Sequence, residues 1–145
     1  MQRSVLLVCL VCLCTAVASC GPTYTNATVT GKLLIDGQPA PRGVKIIFAP
    51  QEKGSSQSYG YTNDAGEYRL RFNAQNIGAN AGENLVSIGV EMQFDDQGNP
   101  YLPEDLKKIR TGLPDNVSFH STLVKTVTKG PNTIDLDVVL ESKKR

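Results

Sequence analysis

The sequence predicts an all-β fold, a seven-stranded antiparallel β-sandwich, and two patterns indicate it. Short runs alternate between apolar and polar residues, which is the period of a strand with one buried face. Asp-Gly, Pro and Asn-Asp-Ala-Gly sequences separate these runs, and such sequences mark turns. The composition agrees, because the 145 residues include 13 glycines, 8 prolines and no tryptophan. A β-barrel is the alternative architecture.

The expected strands are Thr28–Ile35, Val44–Ala49, Tyr59–Thr62, Glu67–Phe72, Glu83–Met92, Thr122–Thr128 and Thr133–Leu140. The fourth is the clearest, with Tyr68, Leu70 and Phe72 expected to point inward. The turn at 63–66 joins it to the third strand, since Asx residues open such turns and glycine supplies positive φ. Gly31 lies on the apolar face of the first strand, where glycine indicates a bulge or a close backbone approach.

Two segments, Gln51–Ser58 and Asp95–His120, interrupt the strand pattern and are where a functional surface is expected. Within the second, Pro103–Ile109 is expected to form one or two helical turns, because proline and acids begin it and lysines lie towards its end. Lys129–Asn132 is expected to form the turn before the last strand.

The N-terminus predicts export from the cytoplasm. Arg3 precedes an apolar run, Val5–Val17, which ends in small residues. The run is shorter than the roughly 20 apolar residues that a membrane-spanning helix needs. Residues 1–19 are therefore interpreted as a signal peptide.

A cysteine follows the small residues directly. Val17, Ala18, Ser19 and Cys20 resemble a bacterial lipobox, in which signal peptidase II cuts before a cysteine whose thiol carries a diacylglyceryl group. The new amine is then acylated, typically with palmitate, and two or three acyl chains anchor a protein stably. Cysteine suits this role because its thiolate alkylates readily. The alternative is an ordinary secretory signal with Cys20 as a free thiol.

These features divide the chain into residues 1–19 as signal peptide, 20–26 as a lipidated tether, 27–141 as the β-sandwich and 142–145 as a basic tail. The other three cysteines lie within the signal peptide, so the domain is expected to have no disulfide. Arg3 is the one charge in residues 1–19, so 14 basic and 14 acidic residues remain. This balance does not fit a nucleic-acid-binding protein.

Three stretches, Val29–Pro39, Gly43–Phe48 and Thr62–Tyr68, resemble carboxypeptidase regulatory-like domains. They follow a V-x-G strand, a D-G-x-P turn, a V-x-F strand and a T-D-x-x-G-x-Y hairpin, with the Asn-Asp pair shifted by one. The whole layout, including 113–136, is similar to small predicted lipoproteins of planctomycete bacteria. The resemblance implies a transthyretin-like or immunoglobulin-like sandwich but no particular activity.

His120 is the only histidine and the one candidate centre for hydrolysis, with Ser121 and Asp115 near it in sequence. Proximity along a chain does not make a catalytic triad. The transthyretin-like hydrolases of purine catabolism use several histidines and arginines and a C-terminal Tyr-Arg-Gly-Ser, which this chain lacks. We therefore expect no catalytic residue and no enzyme activity.

Oxygen atoms for a calcium ion could come from Asp95, Asp96 and Asn99. Their spacing does not match an EF-hand loop, and such residues are common in turns. A turn is the favoured interpretation, and we expect neither a metal nor a cofactor.

Three tyrosines, Tyr59, Tyr61 and Tyr101, form a tentative ligand surface. Tyr59 and Tyr61 lie on one side of the third strand and could offer an aromatic platform to a glycan or a peptide. Burial in the core is the favoured interpretation of both rings.

The sequence thus predicts a non-catalytic, lipid-anchored β-sandwich on the outer membrane or the periplasmic face of the envelope. Its favoured function is protein interaction or structure, through a sheet edge or loops. The alternative is a carbohydrate- or small-ligand-binding module, and a hydrolase centred on His120 comes third. The expected partners are the membrane, through Cys20, and an envelope protein or glycan, and no nucleic acid.

Overall fold

Two β-sheets face each other across one apolar core, so the predicted all-β sandwich is confirmed. The computed structural model describes residues 23–24, 27–118 and 120–141. Val17, Ala18, Ser19 and Cys20 and the basic tail lie outside these residues. The strands are β1 (Thr23–Tyr24), β2 (Ala27–Ile35), β3 (Gln38–Pro39), β4 (Val44–Pro50), β5 (Ser58–Tyr61), β6 (Glu67–Arg69), β7 (Asn76–Ile77), β8 (Gly82–Val90), β9 (Gln93–Phe94), β10 (Pro100–Tyr101), β11 (Val124–Val127), β12 (Gly130–Thr133) and β13 (Leu136–Val138). The described strands exceed the predicted seven, because several are two-residue pairings.

The helical elements are α1 (Glu104–Gly112) and a 3-10 turn at Asp115–Val117. The sequence predicted the start of α1, where Glu104 and Asp105 favour the positive end of the helix dipole. Leu106 and Ile109 turn the buried face of α1 into the core. In the described part of the chain, no helix has the length and apolar character needed to cross a bilayer.

The first sheet has the order β11-β8-β4-β5, and all its pairs are antiparallel. Its longest pairing runs from Val44 opposite Val90 to Pro50 opposite Asn84. Alternate residues of β4 and β8 are buried, as the sequence pattern predicted. The predicted strand ended at Met92, but β8 ends at Val90, and Met92 is 40% exposed.

The second sheet is built around β2. On one side β3 and β6 pair with it antiparallel; on the other, β12 and β13 run parallel to it. The expected turn at Lys129–Asn132 is thus partly wrong, since residues 130–132 belong to β12. The Asn132 side-chain amide donates to the carbonyls of Thr28, Thr128 and Gly130, which holds this segment in place.

The two sheets meet at one corner, between β5 and β6. Tyr59 and Arg71 exchange two main-chain hydrogen bonds of 2.8 Å, and the Asn63 N–H donates to the Glu67 carbonyl at 2.9 Å. This register places Tyr61 opposite Arg69. The predicted hairpin is confirmed: the Asn63 side chain caps the turn, and Gly66 has φ +74°.

The second sheet contains a close backbone approach at Gly31, as the sequence indicated. A Cβ atom there would lie 1.8 Å from the Ile134 carbonyl oxygen. The Tyr68 hydroxyl donates to that oxygen at 2.6 Å, and the Lys32 N–H donates to Asp135 Oδ1 at 2.8 Å. Burial, with a smaller effect of the Asp135 charge, raises the pKa of Tyr68, so its hydroxyl remains a donor.

Replacement of Gly31 by alanine should destabilise the fold by about 3 kcal/mol, because the added methyl overlaps the Ile134 carbonyl. Gly89→Ala is the matched control, since a Cβ on Gly89 meets no atom within 4 Å. It should change stability by less than about 0.5 kcal/mol. Urea unfolding at pH 7 measures both, and equal midpoints for the two variants would contradict the close approach.

Candidate functional site

A polar groove of about 570 Å³ lies on the outer surface at the corner of β5, β6 and β2. Tyr61 and Asn63 line it from the β5 side, and Glu67, Arg69 and Arg71 from the β6 side. β2 contributes Thr30 and Gly31, and Thr133 and Asp135 line the groove beyond β2. The Tyr68 hydroxyl also lies at the groove, where it donates to the Ile134 carbonyl. This volume lies within the range of small-ligand sites.

Tyr61 forms the aromatic part of the groove. Its ring packs edge-on against Tyr59, with centroids 6.0 Å apart and planes at 80°. Tyr61 is 43% exposed and Tyr59 is half-buried. The favoured prediction, burial of both rings in the core, is wrong, because the inward residues of β5 are Ser58 and Gly60.

A charged network holds Tyr61 from the side of the first sheet. The Glu91 carboxylate pairs with Lys45 Nζ and accepts a 2.7 Å hydrogen bond from the Tyr61 hydroxyl. Lys45 Nζ also lies 5.3 Å from the Tyr59 centroid and 5.7 Å from the Tyr61 centroid, within cation–π range. These contacts restrict the ring of Tyr61 to one orientation on the rim of the groove.

The pKa values in this network follow from the same contacts. The hydrogen bond from Lys45, with a smaller effect from Tyr61, lowers the pKa of Glu91. The bond to Glu91 raises the pKa of Lys45. Burial, followed by the bond to Glu91, raises the pKa of Tyr61. At neutral pH the network therefore contains a carboxylate, an ammonium and a neutral phenol.

Two guanidinium groups face the groove without a carboxylate partner. Arg69 and Arg71 are both exposed, and across 27–118 and 120–141 neither forms an ion pair or a side-chain hydrogen bond. The acidic residues beside them are engaged, since Glu67 accepts from the Asn63 amide at 3.0 Å and Asp135 accepts from the Lys32 N–H. The groove therefore presents two guanidinium groups with no ion-pair partner among the described residues, beside two carboxylates that each accept a hydrogen bond from a neutral amide.

Tyr101 does not join this site. It lies on the β9–β10 hairpin, is 46% exposed and is not among the residues that line the groove. The same hairpin exposes Phe94 to 67%. The tentative three-tyrosine surface thus separates into Tyr59 and Tyr61 at the groove and Tyr101 on the hairpin.

The candidate calcium ligands form the turn of that hairpin. Asp95 Oδ1 accepts from the N–H groups of Gln97 and Asn99, and Oδ2 accepts from the Asn99 side-chain amide. Hydrogen bonds from Asn99, its backbone N–H first, lower the pKa of Asp95. Asp96 takes no part in these hydrogen bonds. Among the residues with described positions, no three His, Cys, Asp or Glu side chains are arranged to hold a metal ion.

His120 is exposed, and no described hydrogen bond links it to Ser121 or Asp115. The Ser121 hydroxyl is buried and contacts the carbonyl of Val86, with that of Asn116 at 3.1 Å. It also accepts from the Leu123 N–H at 3.2 Å. The Ser121 hydroxyl is therefore engaged by backbone groups of β8 and of its own loop.

Sequence reasoning did not find the groove. The outward positions of Glu67, Arg69 and Arg71 were predicted, and the hairpin register could have placed the arginines opposite the tyrosines. Thr133 and Asp135 could not have been added, because they reach the site only through the parallel pairing of β12 with β2.

Titration of Glu91 tests the network. Because folding lowers the pKa of Glu91, its ionisation stabilises the fold at pH values above the pKa of Glu91 in the unfolded chain. This contribution is lost as the pH falls through the pKa of Glu91 in the folded protein. Because the Glu91 side chain is 55% exposed, the contribution should be only about 0.5 kcal/mol.

In a carboxyl NMR titration, Lys45→Met should raise the Glu91 pKa towards its ordinary value, and Tyr61→Phe should raise it less, because Lys45 is the larger cause. A larger effect of Tyr61→Phe would contradict the assignment of Lys45 as the main cause of the lowered Glu91 pKa.

Comparison with known proteins adds little. No protein-family model and no curated protein matches this chain. Among solved structures, it is similar to a 9R-lipoxygenase from Cyanothece PCC8801, at 13% identity and a TM-score of 0.35. The match covers 80% of this chain and 16% of the lipoxygenase, a likeness too weak to indicate a function.

Proposed function

We propose that this chain is a lipid-anchored, non-catalytic module of the bacterial cell envelope that binds a carbohydrate-type ligand in the groove. The observation that carries the proposal is the exposed ring of Tyr61 among convergent polar groups. An aromatic face packs against the C–H face of a sugar ring, and polar groups around it bind the hydroxyls. In small-ligand sites, polar groups placed around the ligand fix its orientation.

The paired backbone around the groove favours a sugar over an extended peptide. β6 is hydrogen-bonded to β2 on one side and joined to β5 on the other. A peptide that adds to a sheet needs a free strand edge. A ligand here must therefore be recognised by side chains.

The anchor would be Cys20, within its lipobox. Residues 21–26 separate it from β2, and six extended residues span about 20 Å. The pairing of β1 with β7 shortens this reach further. The groove would then lie close to the membrane surface, where envelope glycans occur.

A protein-interaction function is the second candidate, and the β9–β10 hairpin favours it. Phe94 on β9 and Met92 just before it are substantially exposed. Tyr101 is also exposed, on the other face of the hairpin, because it pairs with Gln93. Exposed apolar side chains grouped on one element are typical of protein contacts. This surface is separate from the groove, so the two candidates can be tested independently.

Tyr61→Ala and Tyr101→Ala form a matched pair, because the two rings are exposed to 43% and 46%. The full-length protein in detergent would be titrated with a panel of neutral and acidic oligosaccharides by NMR or calorimetry. Tyr61→Ala should weaken binding about tenfold, the loss of one aromatic contact, and Tyr101→Ala should leave it unchanged. If no oligosaccharide binds, or if only Tyr101→Ala matters, the groove proposal is wrong.

Cys20→Ser tests the anchor. The variant should keep its signal peptide and lose the mobility shift of acylation, because signal peptidase II needs the modified cysteine. Metabolic labelling with a fatty acid, together with globomycin treatment of the wild type, measures this directly. Unchanged processing and labelling would contradict lipidation.

A further inference from the structure

The two arginines of the groove bear on the charge of the ligand. We propose that the groove selects an acidic saccharide, a uronic-acid type of unit whose carboxylate is bound by Arg69 and Arg71 while its ring packs on Tyr61. This inference rests on the proposed function of the same groove. It adds the charge of the ligand and the residues that recognise it.

The position of the two arginines is the first support. They are two residues apart on one outward face, and the β5–β6 register puts them opposite Tyr61 and Tyr59. A guanidinium presents a planar fork of donors that fits a carboxylate. Among the described residues, Arg42, Lys45 and Lys107 pair with carboxylates. Arg69 and Arg71 form no ion pair there, so their donors are available to a ligand.

The acidic residues decide what kind of anion fits. Glu67 and Asp135 line the same groove, and they would repel a densely charged ligand without hydroxyl groups, such as a polyphosphate, more strongly than a sugar acid. Each retains acceptor capacity beyond the single hydrogen bond it receives. Hydroxyl groups could donate to these oxygens. A ligand with one carboxylate and several hydroxyls per unit matches both charges.

The protein as a whole does not account for such a preference. Lys and Arg number 15 and Asp and Glu 14, so a general attraction of anions is not expected. Any preference for acidic over neutral sugar must come from local groups.

The test compares tetragalacturonate with its methyl ester, which keeps the sugar and removes the charge. Calorimetry on the full-length protein in detergent should show at least about tenfold tighter binding of the acid, the factor expected from one charge-assisted hydrogen bond. Arg69→Gln and Arg71→Gln should each remove about tenfold in affinity for the acid and leave the ester unaffected. Arg110→Gln, a change outside the groove, should alter neither. Higher salt should weaken binding of the acid and leave binding of the ester unchanged.

Several outcomes separate the two proposals. Equal affinity for acid and ester, with both lost in Tyr61→Ala, would overturn the charge assignment and leave the carbohydrate site standing. Binding of neither probe, with no other sugar bound, would overturn both. Acid binding that Arg69→Gln and Arg71→Gln do not change would place the carboxylate elsewhere. Equal binding of hexaglutamate through the same arginines would reassign the ligand to acidic peptides. Arg69→Lys, which keeps the charge, should retain part of the affinity, and it provides the test if a glutamine variant does not fold.

Discussion

At Gly31 the backbone of β2 lies very close to the segment between β12 and β13, and the arrangement of the second sheet depends on that contact. At Gly31 no side-chain atom fits beside the Ile134 carbonyl. The missing side chain lets the Tyr68 hydroxyl reach the same carbonyl from the neighbouring strand. The Ile134 carbonyl thus lies against both β2 and β6, which are distant from it in sequence. It is partly buried, so loss of its donor would cost stability.

The groove depends on the strands that pair with β2. Because β2 pairs on both sides, it brings Thr133 and Asp135 to the face that carries Arg69. The β5–β6 corner then adds Tyr61 from the first sheet. The Lys45 and Glu91 contacts order that ring on the rim. The site therefore combines side chains from both sheets, and it lies on strands rather than on mobile loops, which favours a fixed geometry.

Much of this fold could be predicted from local pattern. The alternation of β2, β4 and β6, the Asn63–Gly66 turn and the start of α1 all depend on residues close in sequence. The predictions that were wrong concern residues whose structure depends on contacts distant in sequence or on the strand face they occupy. Residues 130–132 contain turn-forming Gly, Pro and Asn, yet pairing with β2 and the Asn132 side chain make them a strand. Tyr61 was misjudged because hydrophobicity indicates burial, whereas strand parity turns the ring outward.

The residues that form the groove are of two kinds. Its floor is made of the Gly31 backbone and the Tyr68 hydroxyl, which the fold itself requires. Its rim consists of exposed side chains such as Arg69, Arg71 and Thr133, whose replacement leaves those backbone contacts in place. In related chains the floor should therefore vary little while the rim exchanges charge and size. One scaffold could in this way serve a series of ligands, each distinguished by a few rim substitutions.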